Sequence, residues 1–423
     1  MKIVKTTGKY AKDAEKLLVQ LERRGAVKTA EVEPVVRKIM GAVREGGDRA
    51  LTKLAAKFDG LQKGASLRVS REEMHAAWDA IPQELRTALQ TAAENIRSFA
   101  EQQKPEEWST ENTAGVSVGQ IVRPLESVGC YVPGGRYPLP STLLMTAIPA
   151  RVAGVPRIVV VSPNPAKETL AAAYLAGVTE FYRIGGAQAV AALAYGTETI
   201  PLVDKIVGPG NLFVTAAKVI ASTECGIDMP AGPTEITVTS ETGDAAGIAA
   251  DLVAQAEHDP ETLAIFVTTN EALAKRVVDE TKHQAKNNKL AKVSLKARGT
   301  VFLCGSLEET HALTNRLAPE HLTVDSIADL DWVRNAGSVF VGNHSPQSMG
   351  DYISGPNHVL PTGRVGRMRG GLSVVDFLKV ITVQHYTAKG LATLGPHAIA
   401  LATAEGLTAH AESVRVRMKA AKQ

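Results

Sequence analysis

The stretch from about residue 131 to 230 constrains the fold most. Short runs rich in β-branched residues, RIVVVSP at 157–163 and DKIVGPG at 204–210, alternate there with TLLMTAIPARVAG, KETLAAAYLAG, AQAVAALAYG and NLFVTAAKVIAST, and EFYRIGG adds a strand running into a turn. A brief β-branched run bounded by glycine or proline reads as a strand buried on both faces, and the longer runs read as helices. Strands alternating with helices imply right-handed crossovers and a parallel sheet covered on both sides.

The same pattern starts again at EITVTS (235–240). It continues through ADLVAQAEH, LAIFVTT, EALAKRVVDETKHQAK, TVFLCGS and the helix and loop ETHALTNRLAPEH to GSVFVG. A chain of 423 residues exceeds one ordinary core. The order fits two Rossmann-like parallel-sheet domains of the α/β class, one inserted in the other. AKDAEKLLVQLERRG forms a small N-terminal helical arm ending at Gly25. Residues 30–105 read as helices, and near 115 the texture changes to strands and turns.

Lys plus Arg number 47 against 44 Asp plus Glu. That balance offers no basic stripe for nucleic acid and no polybasic membrane patch. No apolar run approaches the roughly 20 residues that span a bilayer. Cys130, Cys225 and Cys304 are far apart in sequence. An odd, sparse count points to a reducing compartment, and Met1 leads straight into a polar helix without a secretory leader. The expected location is the cytoplasm.

In parallel sheets, ligands sit where strand ends lead into helices. Four polar or glycine-rich loops fall at such places: YVPGGRYP at 131–138, IGGAQ at 184–188, VGPGN at 207–211 and MPAGPTE at 229–235. None is a GxGxxG or a Walker loop. Gly185-Gly186 before a helix could hold an anion on free backbone N–H groups. Singly, each loop is explained by tight turns; together they suggest a nucleotide or phosphate cleft.

LVAQAEHDP (252–260) places Gln255 and His258 at the end of a helix that Pro260 terminates. Residues three apart share a helix face, with Cβ atoms about 5–6 Å apart, close enough to reach one metal ion. On this stretch alone, the better reading is a helix-end histidine at His258 and a solvated polar residue at Gln255. Glu320 and His321, in a loop after a helix, form a plausible proton-transfer pair. Asp351 and His358 lie in SPQSMGDYISGPNHVLPTG, a long stretch with little apolar periodicity, which in a compact domain reads as functional. In TAEGLTAHAES, Gly406 breaks one helix after Glu405, and His410 falls in the first turn of the next. Gln255, His258, Asp351 and His410 together would suit zinc or a similar first-row ion. No spacing rule assembles ligands this far apart.

VGCYVPGGRYPLPSTLLMTAIPARVAGV, IGGAQAVAALAYGTETIPLVDKIVGPGN, GIDMPAGPTE, DLVAQAEHDP, LAPEHLTV, GDYISGPNHVLPTG and AEGLTAH resemble, in order and across nearly the whole chain, the histidinol dehydrogenase family. The resemblance implies zinc ligands at Gln255, His258, Asp351 and His410, all of which also border the substrate. It implies a general acid–base pair at Glu320 and His321, with His321 touching the substrate. NAD contacts fall at Tyr131, Gln188 and Asn211, and further substrate contacts at Thr234, His358 and Glu405. The family often has Ser where this chain has Thr234, a change that keeps the hydroxyl. It further implies a homodimer whose C-terminal arm crosses to the neighbour, and a zinc-dependent, NAD-linked oxidation of L-histidinol to L-histidine through L-histidinaldehyde. The expected domains are an arm at 1–25, a main domain at 26–130 plus 235–375, an inserted domain at 131–234 and an arm at 376–423. A same-fold paralogue oxidising another small alcohol, such as a sulfopropanediol, or a zinc hydrolase without nicotinamide are the alternatives.

Overall fold

The computed structural model describes residues 1–24, 29–62, 64–134 and 137–420. The helix end expected at Gly25 and two positions of the 131–138 loop lie outside the described residues.

The chain opens with β1 (Lys2–Lys5) and α1 (Ala11–Glu22), then α2 (Glu33–Phe58), β2 (Arg68–Val69), α3 (Arg71–Ala80) and α4 (Gln83–Gln102). β3 (Trp108–Thr113) and β4 (Val116–Pro124) precede the alternating unit. That unit runs β5 (Ser127–Tyr131), α5 (Pro140–Ala153), β6 (Arg157–Val161), α6 (Lys167–Leu175), β7 (Glu180–Tyr182), α7 (Gly186–Tyr195), β8 (Lys205–Val207), α8 (Leu212–Ala221) and β9 (Gly226–Ile227). The second unit runs β10 (Glu235–Thr239), α9 (Ala245–Ala256), β11 (Leu263–Thr268), α10 (Glu271–Gln284), α11 (Lys289–Arg298), β12 (Thr300–Leu303), α12 (Leu307–Leu317), β13 (His321–Val324), β14 (Ser338–Val341) and α13 (Gln347–Tyr352). The chain closes with β15 (Leu378–Tyr386), α14 (Ala388–Ala404) and α15 (Thr408–Ala420).

One sheet has the order β1-β12-β11-β10-β13-β14, parallel throughout. Its strand order reverses between β10 and β13. Strand β11, LAIFVT, shows why a continuous apolar run marks a doubly covered strand: Phe266 packs with α9, α10 and α11, while Ile265 and Val267 pack with α1 and α12. The second sheet has the order β2-β7-β6-β5-β8-β9, parallel except for β2. Its order reverses between β5 and β8. A third, antiparallel sheet runs β15-β4-β3.

The α/β class and the two parallel sheets agree with the sequence reading; the boundaries do not. Residues 29–102 pack mainly on the second sheet, although Asn95 of α4 also donates to the Ile353 carbonyl and Val359, Leu372 and Val374 join the core that α3 and α4 share. Val36, Met40, Val43 and Leu51 of α2 share a core with Val190 of α7 and Val214 of α8, and α3 and α4 join α5 and α6 on the opposite face. The N-terminal arm is not purely helical, because β1 completes the first sheet beside β12. Nor is the C-terminal arm, which begins with β15. That strand leaves Val380, Ile381, Val383 and Tyr386 exposed, and an exposed apolar row of this kind marks a surface that something covers.

Candidate active site

Helix α12 ends at Leu317, and the left-handed Ala318 (φ 47°) turns the chain into Pro319. Proline cannot continue the helix. Glu320 follows, and His321 is the first residue of β13, in register with Ile236 of β10 and Ser338 of β14. The couple therefore sits at a strand start in mid-sheet and not in the loop expected. Both side chains are buried.

Glu320 Oε2 accepts hydrogen bonds from the Thr234 hydroxyl at 2.6 Å and the Glu235 backbone N–H at 2.8 Å. Burial disfavours the carboxylate and pushes its pKa up to about 7, against the His321 charge and these two donors. His321 Nδ1 donates to the Glu235 carbonyl oxygen at 3.2 Å, and Nε2 lies 3.4 Å from Asp351 Oδ1. Burial pulls the ring down, but the Glu320 charge and the Asp351 bond override it and raise the imidazole to about 9. The Gln255 amide, at the buried end of α9, lies 2.9 Å from His321 Nδ1.

Asp351, on α13, stands among three imidazoles. Burial would raise its carboxyl, but the His321 bond and the charges of His321, His358 and His258 hold it below the usual range. His358 donates from Nδ1 to the Asp351 carbonyl at 2.8 Å, and its Nε2 lies 3.0 Å from the Thr142 hydroxyl. Burial pushes the His358 ring toward its neutral form. A cleft of about 310 Å³ opens on His321, Asp351 and His358, with Phe340, His344 and Met349 among its walls. An ionised carboxylate, a neutral imidazole and a buried amide beside a proton-transfer couple can hold a cation and move protons next to it.

His258 lies just past the end of α9, its N–H bonded to the Gln255 carbonyl, and its side chain is exposed. Glu405 and His410 are not brought to the cleft of their own chain; both are exposed, and neither lines it. Among the described residues, no group of three or more His, Cys, Asp or Glu side chains suffices to hold a metal. The donor chemistry of Gln255, His258 and Asp351 fits a first-row ion once a further ligand arrives.

The glycine loops lie at the carboxyl ends of β5, β7 and β8. Thr142, at the start of α5, links this edge to His358. Tyr131 is buried, and its hydroxyl accepts the Gly186 N–H at 3.0 Å. Asn211 caps α8 through Phe213 N–H and Val214 N–H. Gln188 donates to Asp59 Oδ2 at 2.9 Å, and the Gly185 N–H donates to the same oxygen at 3.1 Å. The expectation that Gly185-Gly186 holds a ligand anion is thereby corrected: Asp59 and Tyr131 already take those N–H groups.

Asp59, Thr142, Glu235 and Asp251 escaped the sequence reading. Asp251 sits one turn before Gln255, and burial raises its carboxyl to about 6. An acid directly after a long amphipathic helix was the available signal for Asp59. Glu235 stood in the MPAGPTE loop but read only as the start of a strand, and nothing in the sequence marked Thr142.

The family model for histidinol dehydrogenase matches residues 22–418. The chain belongs to the histidinol dehydrogenase family. A histidinol dehydrogenase from Methanothermobacter thermautotrophicus is 47% identical over 413 residues, covering 95% of this chain and 96% of the relative. One from Syntrophotalea carbinolica is 46% identical over 408 residues, covering 94% and 95%. The crystal structure of histidinol dehydrogenase from Elizabethkingia anophelis superposes with a TM-score of 0.93 at 36% identity, covering 100% of this chain and 99% of that one. Membership in the histidinol dehydrogenase family makes this chain an oxidoreductase.

Proposed function

We propose that this chain oxidises L-histidinol to L-histidine by way of L-histidinaldehyde, using zinc and two NAD⁺, as the final step of histidine biosynthesis. The observation that carries the reading is the buried Glu320–His321 couple, opening on a cleft shared with Asp351 and His358.

Each oxidation removes a hydride and a proton, and one water is taken up between them. His321, whose ring is raised to about 9 and must first release its own proton, takes the alcohol proton as the hydride passes to the nicotinamide. Glu320, held by Thr234 and the Glu235 N–H, then takes a proton from the water that hydrates the aldehyde. Keeping the aldehyde bound until the second hydride leaves prevents its loss to water. His358 and Glu405 contact the substrate, and Tyr131, Gln188 and Asn211 serve the NAD side. Gln255, His258, Asp351 and His410 would hold the zinc. When bound, zinc orients the substrate's imidazole and amine and polarises them.

His410 and Glu405 act on the cleft of a second copy in a homodimer. Support comes from the C-terminal arm, which packs mainly on β4 and on itself and exposes Leu401, Leu407 and Val416. We place the enzyme in the cytoplasm, since its three cysteines are buried and unpaired. Among the described residues no helix is long and apolar enough to cross a membrane.

The test is absorbance at the NADH wavelength with histidinol as the only reductant. Two NADH per histidinol are expected. One per histidinol would stop the reaction at the aldehyde, and none would remove histidinol as the substrate.

A further inference from the structure

The residue that positions both members of the proton-transfer couple touches neither with its side chain. Glu235 opens β10. Its backbone N–H donates to Glu320 Oε2 at 2.8 Å, and its carbonyl accepts from His321 Nδ1 at 3.2 Å. One peptide stretch therefore sets the orientation of the acid and of the imidazole together. That stretch is held in the ladder between β10 and β11, and the Glu235 side chain anchors it further through a buried ion pair.

The partner is Arg24, at the end of the N-terminal arm. Its Nε and Nη2 donate in fork geometry to the two Glu235 carboxylate oxygens, each at 2.7 Å. The same guanidinium donates to the Leu21 carbonyl at the end of α1 and to the Leu317 carbonyl at the end of α12, each at 2.7 Å. Gly363 N–H adds a third bond to the Glu235 carboxylate at 2.9 Å. The two side chains are only 14% and 5% exposed. A bidentate pair this enclosed has one geometry, unlike a surface pair that swings in solvent. Leu317 lies three residues before Glu320, so Arg24 holds both the strand that orients the couple and the turn that delivers it. A lysine could not do this, because its point charge cannot serve both oxygens and two carbonyls in one plane.

We propose that Arg24, acting through Glu235, is a positioning residue for proton transfer by Glu320 and His321. The N-terminal arm is thus part of the active site's support, although it contributes nothing to the cleft surface. The inference rests on the reading of Glu320 and His321 as the proton-transfer couple of histidinol oxidation.

The test compares the wild-type full chain with Arg24→Lys and Arg24→Gln. It follows the steady-state kinetics of histidinol oxidation, the solvent deuterium isotope effect on kcat and the thermal midpoint. Loss of a supporting hydrogen-bond partner commonly costs about 10–100-fold in activity. The expected result is a kcat lower by about that factor in Arg24→Gln, with Arg24→Lys in between and KM for histidinol moved by less than about threefold. The solvent isotope effect should rise in both variants as proton transfer becomes slower than the other steps. A merely structural role would lower the thermal midpoint and leave the isotope effect where it was. Folded Arg24→Gln with wild-type kcat and isotope effect overturns the proposal. If Arg24→Gln does not fold, Arg24→Lys decides by the same two readouts. A wild-type chain inert toward histidinol would instead overturn the underlying functional reading, so the two failures are distinct.

Discussion

The two parallel sheets present opposite strand ends, linked where Thr142 of α5 meets His358 beside the cleft. The second sheet offers its carboxyl edge, where α7 and α8 begin with Gly186 and Leu212 after the turns of β7 and β8. The first sheet offers its amino edge, where α9 and α12 end at Ala256 and Leu317, next to Gln255 and Glu320. Helix starts carry partial positive charge, so the carboxyl edge suits the diphosphate of a dinucleotide, although Asp59, Tyr131 and Asn211 already take the Gly185, Gly186, Phe213 and Val214 N–H groups. Helix ends carry partial negative charge, so the amino edge suits a metal cation and protonated imidazole. Using opposite strand ends of two sheets would separate anion binding from cation and proton chemistry without any change of fold.

The largest effect expected from this division is on the cation side. Chelation, or His258→Asn, should abolish histidinol oxidation. Since His258 is exposed, the thermal midpoint of the variant should move little, within about 0.5 kcal/mol in stability. Full turnover by metal-stripped protein would break the comparison at its amino edge.

Next is Glu320→Gln, which keeps the bonds' geometry and removes the base. The aldehyde step should fall by about 10²–10⁴-fold and the alcohol step much less. Equal losses in single-turnover assays of the two steps would contradict the separate roles of Glu320 and His321.

A smaller effect is the pH response of that aldehyde step. Burial raises the Glu320 carboxyl from 4.5 to about 7. Only the carboxylate can accept the water's proton, so below that pKa the rate should fall about tenfold per pH unit. Stability moves the opposite way. The unfolded chain releases this proton near 4.5 and the folded one near 7, so the contribution is present at low pH and lost as pH rises through that window. A flat rate profile between pH 5 and 7 would show that Glu320 is ionised well below about 7.

The sequence carried much of this, unevenly. Strand–helix alternation disclosed both parallel sheets because doubly buried strands such as RIVVVSP and LAIFVTT have no polar face. The adjacent Glu320 and His321 were visible as a possible couple. Strand β1, KIVK, escaped because an edge strand exposes alternate residues, and so did β15, VITVQHY in its outer part, exposed along nearly all its length. Helices α2 to α4 were recognised as amphipathic, but an apolar stripe does not say which sheet it covers. The family resemblance implied the metal ligands, yet their convergence in space cannot be read along the chain, least of all for His410, which this chain turns away from its own cleft. Asp59 was hidden for a related reason, since its partners lie over a hundred residues on, at Gly185 and Gln188.

The smallest predicted effect asks whether the carboxyl edge faces the cofactor at all. Asn211 caps α8 by accepting the Phe213 and Val214 N–H groups at 3.0 and 3.1 Å. Asn211→Ala should lose that cap, costing about 1 kcal/mol of stability. Asn211→Asp keeps an oxygen in the same place and a charge the helix start favours, so stability should return to the wild-type value or above. If the diphosphate approaches this helix start, the new carboxylate repels it, and KM for NAD⁺ should rise about two- to fivefold, the kinetic equivalent of about 0.4–1 kcal/mol. KM for histidinol should not follow, because the proposed reading puts that substrate at the other sheet's edge. A stable Asn211→Asp protein with unchanged KM for NAD⁺ would mean that α8 is capped for folding alone, and that the cofactor takes its anchoring from β5 and β7.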